Sequence, residues 1–194
     1  MEDALKAKTH YTLSEYIEYE EHSPIRSEYY QGELFAMAGT SDVHNRIAQN
    51  LTFALRTATK GGLCEAYIEN VKAELVPDEF YCYPDVMLTC DPRDKQDRYI
   101  KRYPRIIAEV LSPGTESYDR NKKQPHYLRL PTLQALLLIS QSAIQVELFL
   151  RKGGDWVYSF YTSRADVLQI DGIEMTVADL YEGANLVELI EREA

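Results

Sequence analysis

Hydrophobic positions recur along the chain with two periods, which divide it into predicted helices and strands. A helical period over residues 41–59 places Ile47, Leu51 and Leu55 on one face. Ser41 stands at the N-cap position of this helix. Shorter apolar segments that alternate or run without interruption predict strands, and most of them follow the helix. The order of these elements predicts a mixed α+β fold in which a central mixed sheet is flanked by helices.

The N-terminal part of the chain predicts a short helix and then a β-hairpin. Thr12 and Glu15 match a capping box, which predicts a helix over residues 13–21. Residues 27–30 and 33–37 flank a Gln-Gly turn, and this arrangement is typical of a hairpin.

The C-terminal part predicts strands and a charged tail. Residues 144–150 alternate between apolar and polar positions, further β signal continues to residue 170, and residues 186–193 predict a helix. A chain of 194 residues is long enough for one domain with a sizeable core. We therefore expect a single domain over residues 1–194, with its core in residues 12–182.

Composition and charge narrow the function classes. The formal net charge of −10 argues against a non-specific coat on nucleic acid and suits a site that gathers divalent cations. Neither an N-terminal signal nor a membrane-length apolar segment is visible. Cys64, Cys82 and Cys90 lack the spacing of a zinc site, which predicts free thiols in a cytoplasmic protein.

Two acids inside apolar β-like segments are the first candidates for chemistry. Glu109 lies in the apolar segment 106–111, which ends in a Ser-Pro-Gly-Thr turn, and Asp85 lies in the segment 82–88. Burying an acid is unfavourable unless it is paired or binds a cation. If the two strands are neighbours, both carboxylates converge at one end of the sheet. Such a pair suits Mg²⁺ (or Mn²⁺), which can activate a water and stabilise a phosphate in hydrolysis.

Less specific interpretations of these residues stay open. An Asp after proline can cap a turn, and a Glu near a strand end can be exposed or paired with arginine. The predicted helix 117–129 carries Lys122 and Lys123, and lysines on an exposed helix face usually serve only solubility.

Several motifs together resemble one family over residues 10–190. They are Tyr-Gln-Gly-Glu-Leu, a His-Asn pair opening the long helix, Pro-Asp-Val, Glu-Val-Leu-Ser-Pro, and an Asp-x3-Lys-x3-Tyr helix. In this order they resemble the Uma family of restriction-endonuclease-like proteins. The Glu-Val-Leu-Ser-Pro block joined to the following helix is the most specific part of the resemblance.

The resemblance implies a PD-(D/E)XK nuclease core with metal-binding acids on adjacent strands. Asp85 matches the first acid of that motif and Glu109 the second, so both would bind the metal. The motif's lysine normally lies two residues after the second acid, where this chain has Leu111. The lysine looks displaced to the next helix, where its spacing from the preceding acid selects Lys123. Lys122 is the fallback.

Other candidates are secondary. Glu28 could supply an extra metal ligand and His44 could bond a metal-bound water or phosphate, although an exposed hairpin carboxylate and a structural histidine are the alternatives. Glu33 is also expected to be exposed, and Tyr127 to serve packing. Pro125 lies two residues after Lys123, where it is expected to kink or end the helix.

Three functions follow as hypotheses. The first is a Mg²⁺-dependent endonuclease that hydrolyses DNA. The second is a catalytically silent nuclease fold that binds nucleic acid or protein. The third is a homodimeric module in which strand 144–150 pairs across subunits.

Overall fold

The computed structural model describes residues 8–37 and 39–186. The helices are α1 Leu13–His22, α2 Asp42–Ala58, α3 Glu116–Tyr118, α4 Gln124–Tyr127 and α5 Val177–Leu180, with a 3-10 helix at Pro92–Gln96 and a π-helix at Asp119–Lys123. The strands are β1 Ser27–Tyr30, β2 Glu33–Ala36, β3 Glu65–Ile68, β4 Lys72–Val76, β5 Phe80–Cys82, β6 Val86–Thr89, β7 Ile100–Lys101, β8 Pro104–Leu111, β9 Ala135–Ser140, β10 Val146–Lys152, β11 Asp155–Tyr161, β12 Val167–Ile170 and β13 Ile173–Thr176.

A six-stranded mixed sheet forms the centre of the fold, in the order β11-β10-β9-β8-β6-β3. Strand β8 pairs antiparallel with β6 and parallel with β9. Its nearly continuous apolar sequence fits this place, because a strand covered on both faces has no polar side. The predicted mixed α+β architecture is confirmed.

The N-terminal hairpin belongs to a second sheet. Strands β1 and β2 pair as predicted, and β1 also pairs with β5, which gives a five-stranded sheet in the order β2-β1-β5-β4-β7. The capping box at Thr12 is formed as well, and α1 runs from Leu13 to His22. A third, two-stranded sheet joins β12 and β13.

The central sheet separates two hydrophobic cores. On one face, Ile47, Leu51 and Leu55 of α2 are fully buried against β6, β8 and β9, as the helical period predicts. On the other face, the second sheet and the helical residues 116–127 pack over β8 and β9. The helical segment 116–127 therefore covers the end of β8 on this face of the sheet.

The helix after β8 does not end at Pro125. It starts at Glu116, widens into a π-helix at Asp119–Lys123, and continues through Pro125 to Tyr127. The expected end of the helix at Pro125 was therefore wrong, whereas a kink there stays a prediction. Proline is tolerated in the first turn of a helix, and Pro125 occupies that position in α4, directly after the wider turn.

Strand β10 lies inside the central sheet. It pairs with β9 on one side and with β11 on the other, so both of its backbone edges are occupied. The hypothesis that residues 144–150 pair across subunits was wrong in this respect. Homodimer formation as such stays a prediction.

Cys64 and Cys90 form a disulfide, whereas Cys82 is buried and free. The prediction of three free thiols was wrong for the bonded pair, because antiparallel pairing of β3 with β6 brings the two flanking residues together. The argument from reduced thiols to a cytoplasmic location falls with it, and that location stays an untested prediction.

Reducing the disulfide should destabilise the fold. The bond spans 26 residues, and loss of a closed loop of that size corresponds to about 3 kcal/mol of unfolding free energy. We expect dithiothreitol to lower the urea midpoint of the wild type. A Cys64→Ser/Cys90→Ser variant should start from the lower midpoint and not respond to dithiothreitol; equal midpoints in all states would contradict the prediction.

No helix within residues 8–37 and 39–186 is long and apolar enough to cross a membrane. Almost all of the predicted tail helix, residues 187–193, lies outside the described residues.

Candidate active site

Two acids meet where the central strands β6 and β8 run side by side. Val86 pairs with Ala108, so the residues next to them, Asp85 and Glu109, are also opposite each other. The backbone N–H of Asp85 donates to Oε2 of Glu109 at 3.3 Å. Antiparallel pairing thus brings together the two acids that the sequence separates by 24 positions.

Two groups contact the Asp85 carboxylate, one from β8 and one from α2. Its Oδ2 accepts a hydrogen bond from the Val110 N–H at 2.7 Å and lies 3.1 Å from Nε2 of His44. His44 stands in the first turn of α2, where the Ser41 cap fixes the start of the helix. It is 4 % exposed, and its Nδ1 has no hydrogen-bond partner.

Lys123 is buried among three carboxylates beside the acid pair. Its Nζ lies 3.2 Å from Oε1 of Glu109, 2.9 Å from Oε1 of Glu28 and 3.1 Å from Oδ1 of Asp119. The Tyr127 hydroxyl donates to the same Glu109 oxygen at 2.5 Å. The four-residue steps from Asp119 to Lys123 to Tyr127 therefore present all three side chains to one place.

Burial and charge set the protonation states of this group. Burial acts to lower the pKa of Lys123, but the carboxylates of Glu109, Glu28 and Asp119 outweigh it and hold that pKa well above its ordinary value. Burial, reinforced by the charges of Asp85 and Asp119, raises the pKa of Glu109, and Lys123 opposes this effect. Lys123 is therefore an ammonium ion that can orient groups or offset negative charge, and not a base.

Three other residues named from the sequence lie outside this group. Lys122 is exposed, with its Nζ 4.8 Å from the centre of the Tyr30 ring, so it does not reach the acids. Glu33 is exposed as expected. Leu111, at the usual lysine position of the motif, is buried in the core beside the second sheet.

Sequence reasoning undervalued two residues. Glu28 is buried and was expected to be exposed, because nothing in a four-residue strand shows that both of its faces are covered. Its Oε1 also accepts the Tyr83 N–H at 3.0 Å, which links β1 to the loop before Asp85. Tyr127 was expected to serve packing, although its four-residue spacing from Lys123 indicated that the two side chains share one face; its hydroxyl contacts Glu109.

The carboxylate oxygens of Asp85 and Glu109 suit a small divalent cation. Oδ1 of Asp85 accepts no hydrogen bond from the described residues, and Oε2 of Glu109 accepts only the long one from a backbone amide. The described part of the chain has no group of three His, Cys, Asp or Glu side chains arranged as a metal site. Mg²⁺ does not need one, because it commonly binds through one or two carboxylates and keeps several waters.

His44 should support metal binding from behind Asp85. Its ring contacts Oδ2 of Asp85 and not Oδ1, and loss of such an outer contact typically weakens metal affinity by about 10- to 100-fold. We expect His44→Ala to raise the Kd for Mn²⁺ in that range, measured by titration calorimetry. His126→Ala, on the half-exposed histidine of α4, is the control; equal effects of the two substitutions would rule out a specific role for His44.

The fold is that of a nuclease-like protein of known structure. The chain resembles the crystal structure of "a putative nuclease belonging to DUF820" from Anabaena variabilis, with a TM-score of 0.72 and 17% sequence identity. The similarity covers 90% of this chain and 99% of that one.

The sequence itself defines the family. Residues 13–180 match the Uma2 family, described as "Putative restriction endonuclease", and the chain belongs to this family. It is 36% identical over 172 residues to the uncharacterized protein slr1290 of Synechocystis sp., which covers 87% of this chain and 90% of that protein. A second Synechocystis protein, sll1609, is 34% identical over 144 residues, which are 73% of this chain and 81% of that protein.

Proposed function

We propose that the protein is a metal-dependent endonuclease that hydrolyses DNA phosphodiester bonds, with Asp85 and Glu109 as metal ligands and Lys123 as a further catalytic residue. The observation that carries the proposal is the convergence of Asp85, Glu109 and the buried Lys123 ammonium at one end of the central sheet. Membership of a family described as "Putative restriction endonuclease" supports DNA as the substrate.

The site contains more acid than base, which suits a cation. One ammonium, that of Lys123, faces the carboxylates of Glu28, Glu109 and Asp119, and Asp85 adds a further one. Mg²⁺ or Mn²⁺ bound by Asp85 and Glu109 would lower the pKa of a water and offset charge on the phosphate. A phosphate anion would otherwise be repelled by these acids.

The protein's own residues have different roles in the proposed reaction. Tyr127 and Lys123 hold one oxygen of Glu109, so its second oxygen points to a fixed place. The Val110 amide and His44 do the same for Asp85. The Lys123 ammonium orients the attacking water or stabilises the charge that develops on the phosphate.

The test is nicking of supercoiled plasmid DNA with Mg²⁺, with Mn²⁺ and with EDTA. We expect cleavage with either metal, none with EDTA, and none with Glu109→Ala, because that substitution removes one of two metal ligands. Cleavage that persists unchanged in Glu109→Ala would identify a contaminating nuclease and count against the proposal. Absence of cleavage, together with absence of metal-dependent thermal stabilisation, would favour the catalytically silent binding module.

A further inference from the structure

A groove runs along the outer side of α2, between this helix and strand β3. Its volume is about 690 Å³. The residues that line it are Gln49, Thr52, Phe53, Arg56, Thr57, Lys60 and Ile68. None of these residues is acidic, although the protein as a whole has a net charge of −10. The groove is therefore lined by neutral and positively charged side chains, whereas the protein as a whole is negatively charged.

Hydrogen bonds connect the groove to the candidate active site on both the α2 side and the β3 side. On the helix, Gln49 lines the groove and its side chain donates to Asn45, the neighbour of His44. On the strand, Ile68 lines the groove, and the N–H of the next residue, Glu69, donates to the backbone oxygen of Asp85 at 2.9 Å. One end of the groove is thus connected to His44 and to Asp85, one of the two proposed metal ligands.

The spacing of side chains along the helix suits a linear polyanion. Gln49, Phe53 and Arg56 follow one another at steps of three or four residues, so they form one exposed stripe on α2, and Lys60 lies just beyond the end of the helix. At 1.5 Å per residue, Phe53 lies about 14 Å and Arg56 about 18 Å along the axis from His44. Arg56 and Lys60 take part in no ion pair among the described residues.

An aromatic side chain is exposed in the middle of this stripe. Phe53 is 74% exposed, whereas the apolar residues on the opposite side of the helix are fully buried. A second recess of about 510 Å³ continues beyond Arg56 and Lys60, and Tyr67 is part of its wall. Its acidic residue, Glu65, is paired with Lys95 at 3.5 Å. Tyr67 is half-buried and has the Lys101 ammonium over its ring, so Phe53 is the exposed ring of this surface. Cations beside an exposed ring are typical of surfaces that bind single-stranded nucleic acid.

We propose that this groove binds one strand of nucleic acid as it leaves the active site. Arg56 and Lys60 contact its phosphates, and Phe53 stacks on a base. The direction of the strand rests on the proposed nuclease function, whereas the binding itself does not require cleavage. A single strand fits better than a duplex, because a base paired inside a duplex does not offer its face to Phe53.

The experiment measures binding of a fluorescein-labelled oligonucleotide of about 16 nucleotides by anisotropy, with Ca²⁺ in place of Mg²⁺ so that binding is followed without cleavage. We expect Phe53→Ala to weaken binding by roughly tenfold, the effect of losing one stacked base. For Arg56→Ala/Lys60→Ala, the slope of log affinity against log salt should fall by about 1.4, because two phosphate contacts are lost.

A control variant tests whether the effect comes from the groove or from the loss of any two positive charges. Arg129→Ala/Lys152→Ala removes two exposed cations elsewhere and should leave both affinity and salt slope unchanged. DNA and RNA oligonucleotides identify which nucleic acid is bound, and a preference for either supports the proposal. Equal competition by polyglutamate, tighter binding of duplex with no effect of Phe53→Ala, or equal effects of the groove and control pairs would overturn it.

Plasmid nicking by the same variants distinguishes this proposal from the proposed function. If the wild type cleaves DNA and the groove variants bind like the wild type, only the groove proposal fails. If the wild type does not cleave but its binding depends on Phe53 and Arg56, the nuclease function fails and the groove stands. If the wild type neither binds nor cleaves, both fail.

Discussion

Lys123→Met is expected to destabilise the fold by about 3–5 kcal/mol, the cost of leaving buried charges without their partner. Its ammonium lies within 3.2 Å of carboxylate oxygens from Glu28, Glu109 and Asp119, all of them buried. Methionine fills a similar volume without charge, so the effect reports lost pairing and not a cavity. Urea unfolding at neutral pH measures the change, and the same variant should also lose cleavage.

Lys122→Met is the matched control for this substitution. The two lysines are adjacent, but Lys122 is exposed and reaches only the face of Tyr30. Exposed substitutions usually change stability by less than about 0.5 kcal/mol. If the two variants unfold at the same urea concentration, Lys123 is not the charge that holds the three carboxylates together.

Asp85→Asn is expected to weaken Mn²⁺ binding by more than about 100-fold and to reduce cleavage at least as much. Loss of an outer contact to a metal ligand already lowers affinity by about 10- to 100-fold, and loss of the ligand's charge removes a direct interaction. The substitution keeps the shape of the side chain, so the strand pairing of β6 with β8 should persist. Mn²⁺ electron paramagnetic resonance counts bound against free ion directly.

Asp155→Asn makes the same chemical change at an exposed position, the first residue of β11. It should leave Mn²⁺ binding as in the wild type. Equal Mn²⁺ affinity in wild type and Asp85→Asn would remove Asp85 from the metal site. A circular dichroism spectrum that differs from the wild type would show instead that the substitution acts through the fold, in which case Asp85→Glu, which retains the charge, becomes the comparison.

The sequence predicted local elements well where one period dominates. The helical period gave the face of α2 that is buried, and the apolar segment with Glu109 gave a central strand. The sequence predicted the hairpin but not its partner, because the pairing of β1 with β5 depends on contacts between residues about 50 positions apart. The same limit concealed the burial of Glu28 and the disulfide between Cys64 and Cys90, since both follow from strand pairing and not from local pattern.

The residues of the candidate site were easier to predict than their arrangement in space. Asp85 and Glu109 stood out because a carboxylate inside an apolar strand is unfavourable without a partner. The helical period alone could not decide between Lys122 and Lys123. Successive residues on a helix point about 100° apart, and the register of this helix was unknown. Spacing from Asp119 favoured Lys123, and Lys123 is the lysine that contacts the acids.

The π-helix at Asp119–Lys123 has a consequence for tolerance to insertions and deletions. A wide turn takes up one more residue than an α-helical turn, and such turns are frequent at functional sites. A slip of one residue within this turn would rotate the segment by about 100° and bring a neighbouring residue into the place of Lys123. With Lys122 next to Lys123, an ammonium ion would remain available to the carboxylates after a shift in one direction. In the other direction, Gln124 would take the place of Lys123 and the charge would be lost.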